Sequence, residues 1–348
     1  MNLPDLRIFK LTGKTVLLRV NYDVPIRRSA PQGKPFVEDD SRIVESLPTI
    51  NYLLEQKAKV ILLSHLGRPE GKIVQEYSLR PCADYLNSKF TSQNAKLQFK
   101  MQNFDAFQIT DNLILLENLR FYLGEEANDP EFAKKLASLG DFYINDAFAV
   151  CHRAHASVVS LPNLLPHAAG FDLLEEVNVL SGILENPKRP VVVILGGAKA
   201  DKLDAVFGLL KWVDKILIGG RLPVEARREK WEAGSDEKII IANLDDTGKD
   251  ITKESTEKFV LEVKSAGTII WAGPMGQYEE ATSQAGTEEI IQAIVESSAF
   301  KVAGGGDTES AISKFGYDGK FDFISSGGGA MLEFLANGDL PGLKALRE

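Results

Sequence analysis

The 348-residue sequence gathers its arginines and histidines at a few places. Arg19 lies in the apolar run TVLLRV, and Arg42 follows the pair Asp39-Asp40. His65 and Arg68 stand in SHLGRP just after KVILL, Arg120 in LLENLRF, and His152, Arg153 and His155 in NDAFAVCHRAHAS. Three of the four histidines and five arginines thus fall at or just beyond the ends of expected strands, in a chain of net charge -9. An open parallel sheet collects its ligands at that edge. The arginine fork matches a carboxylate or a phosphate, and histidine adds a donor whose charge varies near neutral pH. Singly, each arginine reads as a surface ion pair. As a set they read as a cradle for a small polyanion. His152 and His155 lack acidic or cysteine partners at a zinc-site spacing.

In the second half, glycine replaces arginine at the strand ends. Gly196-Gly197-Ala198-Lys199 follows VVVIL, with Lys202 close behind. Glycines there let the backbone approach a phosphate while the lysines supply charge, although a GG pair is also an ordinary tight turn. Gly304-Gly305-Gly306-Asp307-Thr308 and Ser325-Ser326-Gly327-Gly328-Gly329-Ala330 each lie between an expected strand and helix. Both loops offer amides at a positive helix end. Asp307 either caps its helix or serves as a hard oxygen ligand to magnesium, with Thr308 and the amides meeting phosphate oxygens. Gly13-Lys14-Thr15 is no Walker loop, because the earlier glycine position holds Ile8.

The elements that must position these residues are short apolar runs alternating with amphipathic stretches. TVLLRV (15–20), KVILL (59–63), LILL (113–116), FYIN (142–145), VVVIL (191–195) and KILI (215–218) are near-continuous apolar strands. Such strands belong to sheets covered on both faces. Ile43, Leu47, Ile50 and Leu54 mark one face of a helix between the first two, with a kink expected at Pro48. The order strand, helix, strand predicts the doubly wound α/β class with parallel sheets. Glu-Asn-Pro-Lys-Arg-Pro at 185–190 marks a passage between domains.

The length predicts two domains. A hydrophobic fraction of 44% and a charged fraction of 26% describe an ordinary globular protein. The opening MNLPDLRIFK has no signal-peptide core, and no stretch nears the ~20 apolar residues that cross a bilayer. Cys82 and Cys151 form no disulfide or zinc pattern, so a cytoplasmic protein is expected. The negative charge speaks against nucleic-acid or membrane partners.

Taken in order, RVNYDVP, DDSRI, SHLGRP, LLENLRF, NDAFAVCHRAHAS, LGGAK, WAGPMG, GGGDT and SSGGGA resemble the signature blocks of the phosphoglycerate kinase family over nearly the whole chain. The resemblance implies two Rossmann-like, doubly wound parallel-sheet domains joined by a hinge that closes for catalysis. Residues 1–170 would form an N-terminal 3-phosphoglycerate-binding domain, 171–187 a hinge helix and linker, and 188–330 a C-terminal nucleotide-binding domain. A tail, 331–348, would pack back on the N-terminal domain. The implied reaction is reversible phosphoryl transfer between 1,3-bisphosphoglycerate and ADP, giving 3-phosphoglycerate and ATP, by a monomer using Mg2+. The implied substrate set is Arg19, Asn21, Asp23, Arg42, His65, Arg68, Arg120, His152, Arg153 and His155. Gly197, Ala198, Lys199, Lys202, Gly219, Gly273, Pro274, Glu279, Gly305, Gly306, Asp307 and Thr308 would meet the nucleotide, Glu279 at its ribose and Asp307 through magnesium. Arg42, Lys199, Gly327 and Gly328 would act on the moving phosphoryl group, with Gly329 beside them.

The chain also departs from the family pattern. It is short, the missing length falling between Gly220 and Ile269, where a charged stretch, VEARREKWEAGSDEK, remains. Gly219-Gly220-Arg221 carries a cation in place of a third glycine, and Ala272 stands where the family has asparagine. Lys199 and Lys202 are three apart rather than four, and Asn21 and Asp23 exchange amide and carboxylate. Two readings follow: an active kinase, or a catalytically weak descendant that binds an anion as a regulatory or interaction protein.

Overall fold

The computed structural model describes residues 1–28, 34–90, 98–228 and 237–348. The strands are β1 (Thr15–Arg19), β2 (Ile26–Arg27), β3 (Phe36–Val37), β4 (Lys59–Leu63), β5 (Phe99–Met101), β6 (Phe104–Thr110), β7 (Leu113–Leu116), β8 (Phe142–Asn145), β9 (His167–Ala169), β10 (Val191–Leu195), β11 (Lys215–Ile218), β12 (Ile239–Ile241), β13 (Thr268–Ala272), β14 (Phe300–Gly304) and β15 (Phe323–Ser325). The helices are α1 (Ser41–Glu55), α2 (Arg80–Phe90), α3 (Leu123–Glu126), α4 (Pro130–Ala137), α5 (Phe171–Glu185), α6 (Val206–Leu209), α7 (Leu222–Arg228), α8 (Lys253–Ser265), α9 (Ala285–Glu296), α10 (Gly306–Lys314), α11 (Gly328–Asn337) and α12 (Pro341–Ala345). The chain forms two compact units, Met1–Val177 with Leu340–Glu348, and Asn178–Asp339. The division falls inside α5, and the segment that rejoins the first unit starts at Leu340. Residues 331–339, which the sequence reading put in the returning tail, stay with the second unit because most of them form α11. Of VEARREKWEAGSDEK, the opening residues complete α7, and residues 229–236 lie outside the described residues.

In the first unit the sheet order is β5-β6-β7-β4-β1-β8-β9. β1 and β4 are buried at four successive positions each, as strands covered on both faces must be. They pair in parallel, Leu18 opposite Leu62, and β8 joins on the other side with Ile144 opposite Leu18. The chain builds outward from β1 to β4 and β7, then crosses back to β8, so its strand order reverses between β1 and β8. An antiparallel pair, β5 and β6, flanks β7; it was not legible in sequence because Asp105 and Gln108 interrupt its apolar run. The core packs Val16, Leu18, Val60, Leu62 and Ile144 against Ile43, Ile50 and Leu53 of α1. Pro48 lies inside that helix, which continues past it to Glu55. The C-terminal α12 packs on this unit, where the Gly342 amide donates to the Cys151 carbonyl (2.8 Å).

The second unit is a six-stranded parallel sheet, β12-β11-β10-β13-β14-β15. β10 and β13 are buried throughout, and Ile194 lies between Leu217 and Trp271. The order reverses between β10 and β13, the crevice in which doubly wound sheets seat ligands. Its core joins Ile194, Leu217 and Trp271 to Phe259 of α8 and Ile290 and Ile294 of α9. Among the described residues no helix is long and apolar enough to cross a membrane.

Leu18 has no exposed surface, so Leu18→Ala should cost about 2–5 kcal/mol by leaving a cavity between β1 and α1. Urea unfolding of the first unit reads this, and a loss below about 1 kcal/mol would show a loosely packed sheet.

Candidate functional site

Two sets of residues form at the carboxyl ends of the two sheets, one in each unit. In the first unit, Gly67 is a pivot that sequence reasoning passed over. Its φ of +63° belongs to the left-handed region, and a Cβ there would lie 2.3 Å from the Tyr77 ring. Its amide donates to Asp23 Oδ1 (2.9 Å), and its carbonyl accepts from Arg120 Nη1 (2.8 Å). Arg42, half-buried on α1, donates to the Asp23 carbonyl. His65 Nε2 faces Asp23 Oδ2 at 3.9 Å. The Asp23 carboxylate is therefore committed to organising SHLGRP. The Asn21 amide nitrogen is buried with no hydrogen-bond partner. Such a donor is costly to leave unanswered and is suited to a ligand oxygen.

The structure thus draws Asn21, Asp23, Arg42, His65, Arg120 and His155 together. Arg68 is exposed, and His152 and Arg153 are half-buried on the turn after β8. Arg19 departs from its expected place in the open cradle. It is fully buried, its Nε donating to Ser157 Oγ (2.9 Å), one terminal nitrogen to the Val20 carbonyl, and the other meeting His65 Nδ1 (3.2 Å). It supports the cradle from beneath, since a guanidinium at the end of a doubly covered strand points into protein.

Burial and neighbouring arginines keep His65 and His155 neutral. Burial, then Arg120, Arg19, His155 and Arg42, hold His65 well below the ordinary imidazole range. Burial, then Arg120, Arg19, Arg153 and His152, bring His155 down to about 3. Burial lowers Arg120 to about 10, opposed by Glu126, whose Oε1 lies 3.4 Å from Arg120 Nε. Cations brought this close in a low-dielectric setting repel one another, and a bound anion relieves the repulsion.

In the second unit, backbone hydrogen bonds lace three loops around the β10/β13 crevice. Gly196 N donates to the Ala272 carbonyl (3.0 Å), Gly197 N to Pro274 (2.7 Å), Gly220 N to Met275 (3.1 Å) and Arg221 N to Gly197 (2.9 Å). A Cβ on Gly196 would lie 2.3 Å from the Pro274 carbonyl oxygen, so close approach, rather than ligand contact alone, demands glycine there. Gly219 is buried behind this lacing, while Ala198 and Lys199 are exposed at the head of a 3-10 turn, Ala200–Ala205. Lys202 turns inward: its Nζ donates to the carbonyls of Gly196 (2.8 Å) and Ala272 (3.1 Å), and burial lowers it to about 8. Thr308 is likewise committed, its hydroxyl donating to the Gly304 carbonyl (2.9 Å) and accepting from Gly273 N (2.8 Å). The expectation that this hydroxyl meets phosphate is corrected, because both of its bonds clamp the protein's own loops.

What faces outward is Lys199, Glu279, Gly306 and Asp307 at the start of α10, and Gly329 in the first turn of α11. Asp307 lies in the first turn of α10 after Gly305 and Gly306, and Gly328 is packed on Gly304. The opening amides of α11, at Gly328, Gly329 and Ala330, have no carbonyl one turn back, which makes them donors to an anion. Among the described residues no three His, Cys, Asp or Glu side chains group to hold a metal. Asp307 alone can supply one carboxylate oxygen, which fits an ion whose other ligands are phosphates and water.

The phosphoglycerate kinase family model matches residues 6–226 and 222–338. The sequence is 39% identical to the phosphoglycerate kinase of Herpetosiphon aurantiacus over 100% of both chains, and 38% identical to that of Dictyoglomus turgidum over 99% of this chain and 98% of the relative. The Herpetosiphon alignment spans 402 positions, so that relative carries residues this 348-residue chain lacks. The two matched stretches meet at 222–226, within the interval the sequence reading identified as short. The structure is similar to phosphoglycerate kinase from Coxiella burnetii (TM-score 0.78, 31% identity, 99% of each chain) and from Pyrococcus horikoshii OT3 (0.79, 28%, covering 99% of this chain and 98% of that one).

A histidine held at about 3 stays neutral in the folded protein while its unfolded form takes up a proton below about pH 6.5. Stability should therefore fall with pH from about 6.5 downward, by up to about 1.4 kcal/mol per unit for this group. Urea unfolding at pH 7, 6 and 5 reads the slope, and His155→Gln should flatten it. An equal slope in the variant would mean that His155 is charged when folded.

Proposed function

The chain belongs to the phosphoglycerate kinase family, and from that membership we propose how its two residue sets divide the reaction. The enzyme is a phosphotransferase of glycolysis that acts on phosphoglycerate and ADP or ATP; we read it as cytoplasmic. The first unit is assigned to 3-phosphoglycerate or 1,3-bisphosphoglycerate. Asn21, Arg42, His65, Arg68, Arg120, His152, Arg153 and His155 would surround it, with Arg19 and Asp23 holding that set in place. The second is assigned to the nucleotide, with Lys199 at the phosphates, Glu279 at the ribose and the openings of α10 and α11 at the phosphate chain. The observation that carries the reading is the gathering of cations and neutral histidines at one sheet edge of an acidic protein, beside a buried amide donor that lacks a partner.

The attacking oxygen is anionic in both directions, so no general base is required. Charge and alignment are what the residues supply. Arg42 and Lys199 would offset the negative charge spread over the moving phosphoryl group. The amides of Gly328 and Gly329 would orient its oxygens in exchange for water, with Gly327, whose amide donates to Ser325 Oγ (3.3 Å), setting the entry to the helix. Asp307 would hold Mg2+, which when bound draws charge from the nucleotide phosphates. Lys202 and Thr308 serve by keeping the loops rigid, so these donors stay aimed without reorganisation.

A coupled assay with Mg-ATP and 3-phosphoglycerate should show turnover, lost in Asp307→Ala. Arg42→Ala and Lys199→Ala should each lower kcat by roughly a hundred- to a thousandfold with little change in thermal stability. Near-wild-type turnover in either variant would remove that residue from the reaction.

A further inference from the structure

Behind the first unit's cations, the donors and acceptors form a chain with only one possible direction. Arginine has donors and no acceptor and stays charged in proteins. Where Arg19 meets His65 Nδ1 at 3.2 Å, the histidine nitrogen must therefore be the acceptor, and the ring proton must reside on Nε2. Arg19 Nε donates to Ser157 Oγ (2.9 Å), so the Ser157 hydroxyl turns its own proton onward, to Glu125 Oε1 (2.5 Å). The Ser157 amide donates to the other carboxylate oxygen (3.0 Å). Arg19, Ser157 and Glu125 have no exposed surface. Glu125 lies on the one-turn helix α3, and nothing in its sequence neighbourhood marks it out from Glu126.

We infer that Glu125, Ser157 and Arg19 form a buried positioning relay that locks His65 as the neutral Nε2–H tautomer, so that it presents a fixed donor to the anionic substrate. The inference rests on the assignment of the first unit to phosphoglycerate, and it names what keeps one of its donors in form. Protonating His65 at Nδ1 would set its new N–H against the Arg19 donor, so the ring resists a second proton while the relay is intact. The charged and titratable groups around it act the same way. Arg19 from β1, Arg42 from α1, Arg120 after β7 and His155 after β8 disfavour the imidazolium, and among the described residues the carboxylate paired with Nε2 is that of Asp23 after β1. A donor of this kind keeps its strength across the pH range in which a free histidine changes charge. Glu125 also supplies the carboxylate that a fully buried guanidinium needs, reached through the serine rather than directly.

The test uses the full chain labelled with nitrogen-15 histidine, the His65 signals being those absent from His65→Gln. In the free protein these signals should show a protonated Nε2 and an unprotonated Nδ1, constant from pH 8 to pH 5.5. Ser157→Ala should release the ring to exchange between tautomers or titrate, and should raise KM for 3-phosphoglycerate roughly three- to tenfold, with kcat and the KM for ADP little changed. Ser157→Thr, which keeps the hydroxyl, should restore both readouts. His65 titrating near 6.5 in the unaltered protein, or as the Nδ1–H form, would overturn the relay. So would Ser157→Ala that melts normally and leaves both the His65 signals and KM as they were. A fixed tautomer combined with unchanged KM in His65→Gln would uphold the relay and overturn only the assignment of His65 to substrate.

Discussion

A guanidinium with no exposed surface must have its donors answered from within the protein, and much of the first unit is arranged around that demand at Arg19. Its partners come from distant parts of the chain: Val20 beside it, His65 after β4 and Ser157 after β8, itself held by Glu125 of α3. These contacts bring the ends of β1, β4 and β8 to common purpose at the place where the strand order reverses. Removing one partner of such a buried charge leaves the others uncompensated, which is far costlier than any exposed ion pair is worth. The geometry of the surrounding cations is therefore held by a network centred on Arg19, which lies enclosed beneath them.

The second unit, which we assign to the nucleotide, reaches a rigid crevice without a buried arginine among the described residues. Backbone approach replaces side-chain charge. Gly196, Gly197 and Gly220 allow loops from β10, β11 and β13 to exchange amide hydrogen bonds across the crevice, and Lys202 and Thr308 tie in the remaining carbonyls. The donors we assign to phosphate, helix-end amides and Lys199, are thereby fixed by groups engaged within the protein. In both units the groups spent internally outnumber the expectation from motif alone, because preorganised donors need support as much as charge.

The shortened stretch after Gly220 leaves this arrangement complete. β11, α7 and β12 remain in order, Arg221 contributes its backbone amide to Gly197, and the loop at 245–250 continues into Ile251 in the core. The family membership of the chain covers both units, which sets aside the reading of a weakly catalytic descendant.

The central strands and the convergence of Arg42, His65, Arg120 and His155 were legible in the sequence, since continuous apolar runs and the residues that end them are local signals. The ordered motifs likewise determined the family. Burial was not legible, and burial decides role: Arg19 and Arg42 look alike in sequence, yet one is wholly enclosed and the other only half-buried. The same holds for Lys199, which faces outward, against Lys202, which braces two carbonyls, and for Glu125, which is distinguished from Glu126 only by being enclosed. A motif specifies which groups arrive at the sheet edge. Which of them keep a free donor depends on contacts among residues far apart in sequence, such as Ser157 with Arg19 and Thr308 with Gly273, and those exist only once the tertiary structure has formed.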